Sequence, residues 1–447
     1  MSEISWPTRS IRECLADSFA GEWGAEPLPG NARVLRATDI DNDGHITGAG
    51  ASRRLPIGKL ASRQLEDGDI LLEGSGGGPE KPVGRVAFFD AAEHQGPAVC
   101  SNFFKTLRPE QRVVEPRFLW RKLMWFYRQP TLLTFQQQTT GIINLKFEEY
   151  LNADIEVPAD LAEQRAIAQI LDTLDTAICE TEALIGKLKA VKQGLLHDLL
   201  TRGIDANGQL RPPQSEAPQL YKESPLGWIP KEWDTEPIIN LTSNSVIGPF
   251  GSDLVAADYR DSGVPVIFVR DVKPDRLVWK SNVFVSASKA QALAAHEVRA
   301  GDVVATKMGF PPCVAAVYPE SMSSGIVTAD IVRLRPCTDR ICSDWMSMFI
   351  NSSAVAKQVE QITAGVTRPK VTLRDVRNLL IGLPPLKEQE RVLDRLTAMQ
   401  SRIQLEETSH EKLTAKKAGL MDDLLTGRVR VTPLLESVQQ LAAQTGA

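Results

Sequence analysis

Two stretches of the chain carry the clearest hydrophobic rhythm. In the first, Ile167, Leu171, Leu174, Ile178, Thr181, Ile185, Leu188, Lys192, Leu195 and Leu199 follow one another at alternating steps of four and three residues. In the second, Val392, Leu396, Met399, Ile403, Glu406, His410, Leu413, Lys417, Leu420 and Leu424 repeat the same steps. Alternating 4-3 spacing is a heptad seam. Each stretch predicts a helix of about 40 residues, roughly 60 Å long at 1.5 Å per residue. A proline stands ahead of each one (Pro158; Pro384 and Pro385), where it opens a helix without losing a needed donor. A single apolar stripe needs a partner, so the helices are expected to pair with each other, antiparallel if the chain has a two-fold plan. In such a pair Thr181, Glu406 and His410, polar positions near mid-helix, would either meet and set the register or lie exposed.

The two stretches are copies. Residues 163–201 align with 388–426 without a gap at an offset of 225, and 15 of the 39 positions are identical, among them Glu163/Glu388, Gln164/Gln389, Lys192/Lys417, Gly194/Gly419 and Leu199/Leu424. A loose correspondence extends upstream: DGDILL (67–72) with AGDVVA (300–305), RATDI (36–40) with FVRDV (268–272), and TTGIINLKFEEYLNADIEVP (139–158) with ITAGVTRPKVTLRDVRNLLIGLP (362–384). Short β-rich runs such as RVAFF, VPVIFVRDV and DVVATKM alternate with Gly/Pro turns and helical stretches. The expectation is an α+β, internally duplicated chain: two globular domains with a curled sheet, each followed by a long helix. The boundaries are 1–155 for the first domain, 156–203 for its helix, 204–230 for a proline-bearing surface linker, 231–382 for the second domain, 383–427 for its helix and 428–447 for a tail.

Composition adds limits. At 447 residues the chain exceeds one core, and 43% hydrophobic with 24% charged residues is ordinary globular composition. No apolar run reaches membrane-spanning length and the N-terminus has no apolar signal segment, so a cytoplasmic protein without membrane contact is expected. The six scattered cysteines read as reduced thiols. A net charge of −5 argues weakly against a nucleic-acid partner, but its distribution is uneven. Residues 101–146 hold Lys105, Arg108, Arg112, Arg117, Arg121, Lys122, Arg128 and Lys146 against only Glu110 and Glu115, interleaved with aromatics. That segment is either a helix with a solvated basic face or part of a phosphate-binding surface.

Catalytic signatures are missing. There is no GxxxxGK[ST] loop, and Pro79 breaks the glycine run EGSGGGPEKP (73–82) where a dinucleotide fingerprint needs glycine. No Asn/Asp-Pro-Pro-aromatic motif of an amino-methyltransferase occurs, and Pro274-Asp275 with Glu297-Val298-Arg299 is a chance echo of a nuclease set lacking its lysine. The five histidines form no ligand pair, so no metal site is expected.

Several motifs resemble the specificity subunit of Type I restriction-modification systems: LPPLKEQERVL (383–393) at a helix entry, KLKAVKQGLLHDLLTRG (187–203) and KLTAKKAGLMDDLLTGRVRV (412–431) at the helix exits, YKESPLGWIPKEW (221–233) leading into the second domain, and the glycine loop GPFGSDL (248–254). VPADLAEQ at the first entry and Thr201-Arg202-Gly203 at the first exit depart from the pattern. The resemblance spans nearly the whole chain. It implies two target-recognition domains that each read one half of a split, asymmetric double-stranded DNA site, separated by two long antiparallel helices that form a coiled coil and set the gap. It further implies a non-catalytic chain whose partners are two modification subunits, which methylate adenine with S-adenosylmethionine, and, where present, two restriction subunits that use ATP and Mg. This chain itself would hold no cofactor. Candidate DNA contacts are Ser75, Lys81, Arg85, Gln137, Thr139 and Asn144 in the first domain, and Ser252, Thr306, Lys307, Arg368 and Lys370 in the second. The helix and subunit interface would use Ile167, Leu171, Leu174, Ile178, Ile185, Leu188, Leu195, Val392, Leu396, Met399, Ile403, Leu413 and Leu420. Two other readings are a fused restriction-methylation enzyme, for which no room remains, and a coiled-coil scaffold that does not bind DNA.

Overall fold

A computed structural model of the chain describes residues 6–26, 30–77, 81–139, 141–365 and 367–433. The glycine-run residue Pro79 and the end of the tail, 434–447, lie outside them. The chain divides into two compact units, one of residues 1–183 with 408–447, the other of residues 184–407. Both long helices, Leu161–Thr201 and Leu386–Leu425, therefore begin in one unit and end in the other.

The first unit is built on a four-stranded sheet in the order Leu15–Ala20, Phe104–Pro109, Ile70–Glu73, Val86–Phe88, antiparallel throughout. The second repeats it with Thr242–Ile247, Ile331–Pro336, Val303–Thr306 and Ala315–Val317. Their central strands, ILLE and VVAT, are buried at every position. That explains their unbroken apolar runs, since apolar side chains cover both faces of the sheet. In the first unit Ile70 and Leu72 face the helix Pro116–Tyr127, while Leu71 faces Leu35, Ala87 and Phe104. The matched DGDILL and AGDVVA segments each supply a buried aspartate to the neighbouring strand. Arg108 donates to both oxygens of Asp69 (2.9 and 2.8 Å) and Arg335 to both of Asp302 (2.8 and 2.8 Å). In RATDI and FVRDV, Asp39 and Asp271 accept the backbone N–H of Arg36 and Phe268 at 2.8 and 2.9 Å.

The glutamine shared by both helix entries fastens helix to domain. Gln164 accepts the N–H of Glu115 (2.7 Å) and donates to the carbonyls of Val113 and Pro158; Gln389 accepts the N–H of Cys342 (2.8 Å) and donates to Arg340 and Pro384. Within each unit two helix ends run antiparallel and belong to the domain core. Ile167 and Leu171 join Met421, Leu424 and Leu425 in the first; Leu199 and Leu200 join Val392 and Leu396 in the second. The remaining seam positions Leu174, Ile178, Ile185, Leu188, Leu195, Met399, Leu413 and Leu420 are half-buried, and Ile403 is buried. Of the polar mid-helix positions, Thr181 donates to Ala177 and Glu406 pairs with Arg402 within their own helices, while His410 lines a cavity with Ile178 and Glu182 of the other helix.

The segment 204–230 is more than the surface linker its prolines suggest. It holds the hairpin Tyr221–Ser224/Gly227–Pro230, and Arg211 is buried against Glu388 at 2.6 and 3.1 Å. The same glutamate accepts from the N–H of Ile204 (2.9 Å) and from Trp233 Nε1 (3.1 Å). Its counterpart Glu163 accepts from Arg430 (2.6 and 2.8 Å) and Thr432 (3.3 Å) in the first unit. Each long helix thus ends in a left-handed glycine, Gly203 (φ 61°) or Gly427 (φ 73°), that turns the chain back onto a helix-entry glutamate.

Candidate nucleic-acid interface

In the first unit the strand Ser75–Gly77, the second strand Ile142–Leu145 and the edge strand Gln136–Thr139 form a small antiparallel sheet. Ser75 lies opposite Asn144, and Asn144 opposite Gln137. Directly opposed residues share a face, so three of the sequence candidates make one polar rung. Ser75 Oγ donates to Asn144 Oδ1 at 2.6 Å, and Gln137 is exposed. The pairing gains one residue between Ser75 and Gly77, and that extra residue, Gly76, takes φ 108°. A bulge with that backbone needs glycine, which explains the glycine run better than phosphate binding does. Lys81 is exposed at the end of this loop. Gln136 is not a reader: its amide brackets the backbone of Val83, accepting and donating at 3.0 Å each. Of Thr139 only the backbone, opposite Ile142, is described.

Arg85 does not join this surface. Glu73 takes its guanidinium in a two-pronged pair (2.9 and 3.0 Å), and this hydrogen bond raises the arginine's pKa further. Most cations of the basic segment 101–146 are likewise paired with carboxylates, although Arg112 and Arg128 stay exposed. Arg108 pairs with Asp69, Arg117 with Asp90, Arg121 with Asp172 and Asp175, Arg128 with Asp43 and Lys146 with Glu149. Lys122 is buried and donates to the carbonyl of Leu425, and burial drags its pKa down to about 8. The charge run was legible in the sequence; apart from Glu149, three residues from Lys146, the carboxylates that pair with it come from distant segments.

The second unit presents a different surface at the same address. Backbone bonds place Lys307 where Gly74 stands: Lys307 N–H donates to Asp330 and its carbonyl accepts from Val371, as Gly74 N–H donates to Phe103 and its carbonyl accepts from Leu145. The next pair, Ser75–Asn144 in the first unit, is Met308–Lys370 in the second, joined by a β-bridge. Thr306 is buried, its hydroxyl accepting the N–H of Val314 at 3.0 Å, so it serves the sheet and not a ligand. Lys307 is 9% exposed; its ammonium donates to the Ala329 carbonyl (3.0 Å), and burial, then Lys370, lowers its pKa. Lys370 reaches Asp330 at 3.2 Å from a half-exposed position, and Arg368 and Ser252 are exposed. An open cleft of about 520 Å³ runs between Pro249, Tyr259, Phe268, Arg270, Met308 and Asp330. Its surroundings carry side chains that the sequence reading passed over: Phe250 is 68% exposed, Phe310 84% and Met308 39%. The signal was present, because MGFPP follows the AGDVVATK strand just as the glycine run follows DGDILLE.

Among the described residues there is no cluster of His, Cys, Asp and Glu able to hold a metal, and no helix long and apolar enough to cross a membrane.

Comparison with known proteins agrees with this two-part architecture. Residues 29–192 and 344–415, more than half the chain, match the family described as Type I restriction modification DNA specificity domain. The chain is 21% identical over 343 residues to the type I restriction enzyme MjaVIII specificity subunit of Methanocaldococcus jannaschii, covering 75% of each protein. It is 22% identical over 415 residues to the EcoKI specificity subunit of Escherichia coli, covering 86% of this chain and 83% of that one. Among solved structures, the HsdS subunit from Thermoanaerobacter tengcongensis superposes with a TM-score of 0.53 at 17% identity, over 96% of this chain and 98% of that one. The Type-I S subunit from M. genitalium gives 0.52 at 15%, over 95% and 97%. The chain belongs to the Type I restriction-modification DNA specificity family.

Proposed function

We propose that this chain is the DNA-reading subunit of a Type I restriction-modification enzyme, that each unit reads one half of a bipartite, asymmetric double-stranded site, and that the chain performs no chemistry itself. The observation that carries this is one address with two chemistries. Identical Arg–Asp pairs and matching backbone bonds hold Ser75–Asn144 in one unit and Met308–Lys370 in the other. A duplicated frame with unlike surfaces suits unlike half-sites, since base edges are read by the side chains placed against them. The partners in this reading are two adenine-modification subunits that bring S-adenosylmethionine and, where present, restriction subunits that bring ATP and Mg. The setting is the cytoplasm, where chromosomal DNA is accessible.

The test is to assemble the chain with its modification subunits and map methylated adenines on genomic DNA. Methylation at one interrupted, asymmetric sequence is expected. Exchanging residues 1–155 for those of a relative should rewrite one half of that sequence only. Methyl transfer by the purified chain alone, or a continuous target, would overturn the proposal.

A further inference from the structure

Resting on that reading, we propose that Phe310 and Phe250 form an apolar wedge that enters a base step of the second half-site, so that the second unit selects sequence by how readily the duplex unstacks and not by hydrogen bonds to base edges alone. The two rings are among the most exposed large apolar side chains of the described residues. Met308 lines the cleft; Phe250 stands in the chain between two of its lining residues, Pro249 and Gly251, and Phe310 follows Met308 by two residues. Water is a poor environment for three such groups, so their position calls for an occupant. The charges nearby indicate which. Arg270 lines the cleft, while Arg368 and Lys370 are exposed on the segment bridged to Met308. Lys370 and Asp330 answer each other, so the positive charge left over is that of Arg270 and Arg368, against Asp253, which lies beside Ser252 in the Phe250 loop. Cations flanking exposed apolar side chains fit a polyanion whose stacked bases the rings can part, and proteins that kink DNA use this combination.

The first unit supplies the contrast. Its corresponding position carries the Ser75–Asn144–Gln137 rung, whose hydroxyl and amides are base-reading groups, whereas Met308 offers no such donor. A thioether and two phenyl rings cannot read a base edge by hydrogen bonding; they act through stacking and through the cost of deforming the step they enter.

The experiment uses the assembled methyltransferase and duplexes carrying its mapped site, with 2-aminopurine placed in turn at each position of the half-site that changes when residues 231–382 are exchanged. In the wild type, fluorescence should rise on binding at one step other than the methylated adenine. Phe310→Ala should abolish that rise and weaken specific binding about tenfold or more, the scale of one lost base–aromatic contact. Phe250→Ala should weaken both in part, and Phe310→Leu should keep part of each. The salt dependence of binding should be unchanged in Phe310→Ala, because no phosphate contact is lost, and shallower in Arg368→Ala. Both rings are exposed, so folding is spared, and Ile57→Ala, at an equally exposed apolar side chain of the first unit, serves as a control that leaves the signal in place. Specific wild-type binding with no such rise, or a rise and affinity unchanged in Phe310→Ala, would overturn the wedge while leaving the DNA-reading role intact. Loss of any sequence-specific methylation by the wild type would instead defeat the underlying reading.

Discussion

The two units place the same residues at their helix junctions and then spend charge on them differently. In the second, Glu388 is buried with four donors around it: both Arg211 nitrogens, the N–H of Ile204 and Trp233 Nε1. In the first, Glu163 is equally buried, but its arginine, Arg430, stays one-third exposed, and Trp6, which packs on Gly427 as Trp233 packs on Gly203, has no partner for its indole N–H among the described residues. The seats of the two domains on the helices differ more. Helix positions Asp172 and Asp175 meet Arg117 and Arg121 of the first domain; the matching positions Thr397 and Gln400 share a cavity with Asp344 and Ser347 of the second. Lys417 pairs with Asp175, and its copy Lys192 donates to Gln400 at 2.7 Å. One frame thus tolerates either sign on the domain side, provided the helix side answers it. The lesson is that a duplicated scaffold keeps its backbone bonds and lets the neighbouring charges drift in compensating pairs.

The largest effect is expected at the glutamates. Glu388→Ala strands a buried guanidinium, which costs about 3–5 kcal/mol. Glu163→Ala should cost about 1–2 kcal/mol, because water re-solvates Arg430. Calorimetry of the full chain should show the larger fall in melting temperature for Glu388→Ala, on a scale of about 2–4 °C per kcal/mol; equal falls would mean that the two junctions are energetically alike.

Next comes the seat. Arg121→Met copies the second unit's Met348 and leaves Asp172 and Asp175 with less positive charge, at about 2–3 kcal/mol. Adding Asp172→Thr and Asp175→Gln completes the second unit's pattern and should recover at least half of that loss. A triple variant no more stable than the single one would show that the charge pairing is incidental.

The readers differ in a smaller and more local way. Asn144→Ala and Gln137→Ala should each lose about 1–3 kcal/mol of discrimination, confined to the half-site that follows residues 1–155. Selection of bound sequences from a randomised library measures this; loss of specificity in both half-sites would contradict separate reading.

The smallest effect is a pH signature. Lys122 occupies the place that Phe349 takes in the second unit. Its folded pKa of about 8 lies below the usual 10.5. The unfolded chain therefore holds the extra proton between these values, so the contribution of Lys122 to stability is least favourable below pH 8 and improves as pH rises toward 10.5. Comparing Lys122→Met with wild type by urea unfolding at pH 7.5 and 9.5 should show the wild type gaining relative to the variant at the higher pH. A constant difference would place the lysine's pKa near its ordinary value.

What the sequence alone determined was whatever repeats or alternates along it. The heptad seams gave both long helices to within a few residues, the 225-residue offset gave the duplication, and DGDILL with AGDVVA marked the shared central strand because a strand buried on both faces reads as an unbroken apolar run. The rung of Ser75, Asn144 and Gln137 was legible as residue types, but its alignment depended on a strand register that a single bulge at Gly76 sets. What only the tertiary structure decided was how each charge is used. Arg85, Lys307 and most cations of 101–146 look available in one dimension, and they are spent on carboxylates and carbonyls, one of them 303 residues away, while the Thr306 hydroxyl takes the N–H of Val314. Local pattern fixes an element because its period is written in neighbouring residues. An ion pair or a buried amine has no period, and only the folded chain names its partner.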